Sequence, residues 1–132
     1  SHTRWINDWD LVDLSAPYIL GDYLCTKSDR SILDELADSP SLWEQRIAIV
    51  STLMLIRDGQ FDDTVRLALK LLDSRHDLMQ KATGWMLREV GKRDLDILTA
   101  FLEEHKSRMP RTMLRYAIEK LTPEQRSHYM KR

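Results

Sequence analysis

The 132-residue sequence predicts an all-α fold, and three observations carry that prediction. Apolar residues return at spacings of three and four along every long stretch, no stretch alternates with period two, and the chain holds only four Gly and four Pro. The spacings place helices at 7–24, 31–37, 41–57, 61–73, 76–92, 94–106, 110–120 and 123–130.

The first helix is expected to bend before Pro17, and it has two apolar sides. Leu11, Leu14 and Tyr18 form one; Trp5, Trp9, Val12 and Ala16 form the other, with Asp13 at its border. Two indoles beside a carboxylate are a costly way to fill a core, because the carboxylate resists burial. One side suffices for an ordinary core contact, so the other packs a neighbouring unit or lines a site. Helix 41–57 puts Trp43, Ile47, Val50 and Met54 on one stripe, with Ile49 and Leu53 beside it. Arg46 falls within that apolar surface, where a guanidinium needs either a neighbouring carboxylate such as Asp13 or a bound phosphate. "DGQFDD" ends this helix at Gly59 and supplies acids to the start of the next. In helix 76–92, Met79, Thr83, Met86 and Val90 define the buried side, while Trp85 points away from its centre among Lys81, Arg88 and Lys92. An indole ringed by cations suits either a nucleic-acid contact or cation–π packing on a solvated face. "HKSRMPRTMLR" brings Arg108, Arg111 and Arg115 to a helix start at Pro110, and "LTPEQ" gives Thr122 as N-cap, Pro123 at N1 and Gln125 at N3.

The length suits a single domain over residues 1–132. Its helices pair through short turns, and "QRIAIVSTL" overlays "QKATGWML" at a spacing of 35, with Gln45 over Gln80 and Arg46 over Lys81. Paired helices repeating at that interval predict an α-solenoid, with a plain bundle as the alternative. Residues 1–74 carry 7 Lys and Arg against 13 Asp and Glu, a balance of −6, whereas residues 75–132 carry 13 against 8, a balance of +5. A basic half can bind phosphate although the whole chain carries −1. Cys25 is the only cysteine, so no internal disulfide exists, and with no nucleophile signature around it packing is the simpler role. No apolar run approaches the roughly 20 residues of a membrane span. The start Ser-His-Thr, with neither initiator Met nor signal-like segment, reads as a trimmed piece of something longer, in a reducing, cytoplasmic setting. His2, His76, His105 and His128 lack metal-ligand spacing and no Gly-rich phosphate loop occurs, so neither metal nor nucleotide cofactor is expected.

Taken together, "NDWDLVDLSAPYILGDYL", "LWEQRIAIVSTLMLIRDGQFDDT", "HDLMQKATGWMLREVGKRD" and "MPRTMLRYAIEKL" closely resemble the DNA alkylation repair family of AlkD-like glycosylases, over almost the whole chain. That resemblance implies a HEAT-like repeat fold with a concave basic surface, and removal of N3- and N7-alkylated purines from duplex DNA without a deep base-flipping pocket. It implies a monomer needing no cofactor. It assigns catalytic roles to Trp9 and Asp13, a DNA contact to Arg46 and a second active-site indole to Trp85. Lys81, Arg88, Lys92, Arg111 and Arg115 are the further expected DNA contacts. The family's members also extend upstream of the segment matching Ser1, with repeats that complete the DNA cradle.

Overall fold

Local signals in the sequence start and stop most of the helices. The computed structural model describes residues 15–131, and among them eight helices and no strand occur: α1 (Ala16–Leu24), α2 (Ser31–Ala37), α3 (Leu42–Arg57), α4 (Asp62–Leu71), α5 (Asp77–Arg93), α6 (Leu95–His105), α7 (Arg111–Ala117) and α8 (Pro123–Met130). Ser41 caps α3 by accepting from the Glu44 N–H at 3.3 Å, and Asp94 caps α6 through the Ile97 N–H at 3.4 Å. Thr122 and Gln125 form the reciprocal capping box expected from "LTPEQ". Each such cap contributes about 1 kcal/mol. Gly59 ends α3 at φ +80°, a conformation open to glycine and costly for residues with a Cβ. The described part of the first expected helix begins at Ala16, with Pro17 in its first turn; residues 7–14 lie outside the described residues.

The odd-numbered helices pack in sequence, α1 on α3, α3 on α5 and α5 on α7, while α2 and α4 pack on each other and against α3. Helix α3 touches α1, α2, α4 and α5. It therefore has no single buried stripe: Ile47 through Leu53, with Leu55 and Ile56, are all buried. The one-sided reading of 41–57 fails for that reason. Ser51 and Thr52 are tolerated in this core because their hydroxyls donate back to the Ala48 and Ile49 carbonyls at 2.7 and 2.6 Å.

The 35-residue register is visible in the hydrogen bonds. The Gln45 Nε2 donates to the Ser39 carbonyl at 2.7 Å, and the Gln80 Nε2 donates to the Ser74 carbonyl at 3.0 Å. In the same two places the Ser39 Oγ accepts from the Ser41 N–H at 3.0 Å and the Ser74 Oγ from the His76 N–H at 3.4 Å. The α2–α3 and α4–α5 turns are thus latched to the following helix in the same way. Ion pairs tie successive units along the even-numbered side. Arg30 reaches Asp63 at 2.5 Å, Arg66 reaches Asp34 and Asp63 at 3.0 Å each, and Lys70 reaches Asp38 at 3.1 Å. Arg30 uses all three guanidinium nitrogens, donating also to the Lys27 carbonyl and to Gln60 Oε1. Burial pulls the Arg66 pKa down, yet its bonds to Asp34 and Asp63 outweigh burial and raise it.

Glycine allows a close helix contact in the later half. A Cβ on Gly84 would stand 2.5 Å from the Met113 carbonyl oxygen and 2.6 Å from the Tyr116 Cβ, so α7 lies directly on α5 there. We expect Gly84→Ala to lower the urea midpoint by the equivalent of about 1–3 kcal/mol, although alanine is the better helix former. Asp63→Ala strips a nearly buried carboxylate from two arginines and should cost about 3 kcal/mol in the same assay.

Candidate functional site

Stacking α5 between α3 and α7 leaves it one outward stripe. Residues spaced by three and four along that stripe are Asp77, Lys81, Trp85, Arg88, Glu89 and Lys92. Arg46 stands on α3 at the register position of Lys81, each five residues beyond its N-cap, Ser41 or His76. The structure therefore brings Arg46, Lys81 and Trp85 onto neighbouring helices of one layer. Trp5, Trp9 and Asp13 lie outside the described residues.

Arg46 is half-buried and makes no ion pair among the described residues, with its guanidinium carbon 6.0 Å from the centre of the Trp43 ring. It is a cation held against an indole. Asp13, the carboxylate named for Arg46 from the sequence, lies outside the described residues.

The surroundings of Trp85 differ from the expectation of a ring of free cations. Lys81 pairs with Asp77 at 2.9 Å, Lys92 with Glu89 at 3.0 Å, and Arg88 with Glu119 of the α7–α8 turn. The hydrogen bond that Lys81 donates to Asp77 raises the Lys81 pKa, and Tyr116 adds to it electrostatically. Trp85 itself is half-buried against the core formed by α1 to α5, and among the described residues no cation lies over its ring. Helical periodicity could not reveal Glu119, which reaches Arg88 from 31 residues away. The Nε of Arg88 is buried with no hydrogen-bond partner, leaving a donor unmet beside its paired Nη1.

Arg111 and Arg115 part company on α7. Arg111 donates Nη1 to the Met130 carbonyl at 2.8 Å and lines a cleft with Arg75 and Arg108. Arg115 is exposed and lines a separate groove between α7 and α8 with Ile118, Glu119 and Arg126. The residues that the sequence pattern missed are Tyr116 and Arg75. A shift of 35 finds the first, because Arg46, Lys81 and Tyr116 occupy one register position in α3, α5 and α7.

Cys25 packs rather than reacts. Its Sγ donates to the Met54 carbonyl at 3.6 Å, and burial, with Asp58 and Asp22 nearby, raises the thiol pKa above its ordinary value. Because only the thiolate is nucleophilic, iodoacetamide at pH 7 should label Cys25 at least tenfold more slowly in the native chain than in the urea-unfolded one, the native rate rising only at alkaline pH.

Among the described residues no helix is long and apolar enough to cross a membrane. No curated protein and no solved structure gives a significant match to the chain. The family model described as DNA alkylation repair enzyme matches residues 1–121, which takes in all of α1 to α7. With its paired-helix order, its indole and cation stripe and this near-complete match, the chain belongs to the DNA alkylation repair enzyme family.

Proposed function

We propose that the chain is an AlkD-like DNA glycosylase that hydrolyses the N-glycosidic bond of cationic N3- and N7-alkylpurines in duplex DNA. The observation that carries this reading is Arg46, a half-buried guanidinium without an acidic partner among the described residues, on the helix beside Trp85, within a chain of the DNA alkylation repair enzyme family. The repeated glutamine latches and the ion pairs between successive units favour a HEAT-like stack of helix pairs over a plain bundle, as one domain over residues 1–132.

The chemistry suits these residue types. An alkylpurine cation leaves as a neutral base and needs no general acid, while positive charge builds on the deoxyribose. Asp13 would stabilise that oxocarbenium-like charge and orient the attacking water. Trp9 and Trp85 would present π-faces to the cationic sugar, an attraction that grows as the bond breaks. Arg46 would hold a backbone phosphate and so fix the sugar's position. The clefts among the described residues are open grooves, in keeping with recognition that does not draw the base into a deep pocket. Arg88, Lys81 and Lys92 already pair with acids, so on this reading they add less phosphate affinity than Arg46.

A second reading, a non-catalytic DNA-binding repeat domain, is favoured by those same pairings, which mute the cations around Trp85. Release of free 7-methylguanine from methylated duplex DNA decides between them. The wild-type chain should release base, and Asp13→Asn should lower the single-turnover rate by about 100-fold to 1,000-fold with duplex binding little changed. Arg46→Ala should weaken both binding and release. Absence of release by the wild type, with duplex binding intact, would leave the binding-domain reading.

A further inference from the structure

The α4–α5 connection (72–76) and the α6–α7 connection (106–110) face each other across an open cleft of about 570 Å3, whose walls bear Arg75, Arg108 and Arg111 against a single acid, Asp73. We propose that this cleft is a second phosphate-binding station for duplex DNA, gripping a backbone strand away from the Trp85 stripe; the inference rests on the DNA reading of the preceding section.

Three observations carry it. The first is the state of the arginines. Arg75 is exposed and has no acidic partner among the described residues. Arg108 comes no closer than 3.8 Å to Asp73, both side chains being more than half exposed, and such a pair restrains the guanidinium little. Arg111 is anchored by one nitrogen on the Met130 carbonyl, which orients the rest of its fork.

The second is the contrast within the repeat. The same register positions one unit earlier hold Pro40 in place of Arg75, Asp73 in place of Arg108 and His76 in place of Arg111. The latch is the same in the turns that hold Pro40 and Arg75, so the fold there does not require the cation at 75.

The third is shape and position. The cleft is wide and shallow, and its exposed lining residues, Asp73, Arg75, Ser107, Arg108 and Arg111, are all polar, which suits an extended polyanion better than a small ligand needing enclosure. Packed helices stand about 8–10 Å apart, so arginines on the α5 and α7 turns can meet phosphates on one strand at separate points. The cleft opens at the N-terminal ends of α5 and α7, and Lys81 stands about 7.5 Å along α5 from its N-cap at a rise of about 1.5 Å per residue. A strand contacting Arg46 and Lys81 therefore has cations to meet as it leaves the layer.

The experiment is a salt series from 50 to 200 mM, reading duplex DNA binding by fluorescence anisotropy with the full chain. Arg75→Ala combined with Arg108→Ala should reduce the slope of log K against log[salt] by about 1.8, two phosphate contacts at about 0.9 each. Asp73→Ala, which removes the cleft's acid and breaks no buried contact, should instead tighten binding about twofold to fivefold at 50 mM salt. A double variant with the wild-type slope, or an Asp73→Ala variant with unchanged affinity, overturns the proposal. Release of 7-methylguanine by the wild type separates the two ideas. Base release with no slope change in the double variant removes the second station and keeps the glycosylase, whereas a reduced slope without base release keeps the station and removes the glycosylase.

Discussion

The packing of α3 and α5, each between two odd-numbered neighbours, is the constraint on which the rest of the structure depends. A helix clasped on several sides must be apolar nearly all round, as α3 is from Ile47 to Leu53. Its polar groups then survive only by bonding to their own backbone, as Ser51 and Thr52 do. Chemistry is left to whatever stripe no neighbour covers. On α5 that stripe holds Lys81, Trp85, Arg88 and Lys92, and on α3 it holds Arg46 near the first turns.

The same stacking governs the electrostatics. Charges that face a neighbouring unit are neutralised by it: Arg30, Arg66 and Lys70 meet Asp63, Asp34 and Asp38, and Arg88 meets Glu119. Such pairs fix the stagger between units more than they add stability, because the desolvation of both partners offsets much of their attraction. Among the described residues the cations in no ion pair include Arg46 on α3, Arg75 at the edge of the layer and Arg115 on α7, while Arg108 is only loosely paired with Asp73. The pairs of Lys81, Arg88 and Lys92 with Asp77, Glu119 and Glu89 are already subtracted in the balance of +5 over residues 75–132, so that excess belongs to other cations of the segment.

Much of this was legible in the sequence. The boundaries of α2 and α8 coincide with the expected 31–37 and 123–130, and those of α3 to α6 differ from expectation by at most two residues at either end. Helix α7 is shorter, ending at Ala117 rather than at 120. Its last turn gives way to the turn that brings Glu119 against Arg88. The Gln45 and Gln80 overlay looked weak as a string of letters, yet both amides make the same bond to a carbonyl six residues back. What helical periodicity could not give is the partner of a charge. A wheel drawn for α5 shows Lys81, Arg88 and Lys92 around Trp85, but not the acid that Arg88 meets across the helix interface. Nor could a one-face rule foresee a helix touching four others. Arg75 belongs to no helix and carries no pattern of its own; only the comparison with Pro40 one unit earlier marks it.

The side-chain bonds between units span short stretches of chain: Lys70 to Asp38 covers 32 residues, Arg108 to Asp73 covers 35 and Arg93 to the Arg57 carbonyl covers 36. Among the described residues no side-chain hydrogen bond reaches further along the chain than that last one. A molecule tied only to its nearest neighbours has low contact order, so ordering can begin in any adjacent pair of units and spread, with little loop entropy lost at each step. Opening follows the same logic in reverse. Among the described residues α3 and α5, clasped on both sides, exchange their amide hydrogens last, and α7, with an odd-numbered neighbour on one side, exchanges earlier.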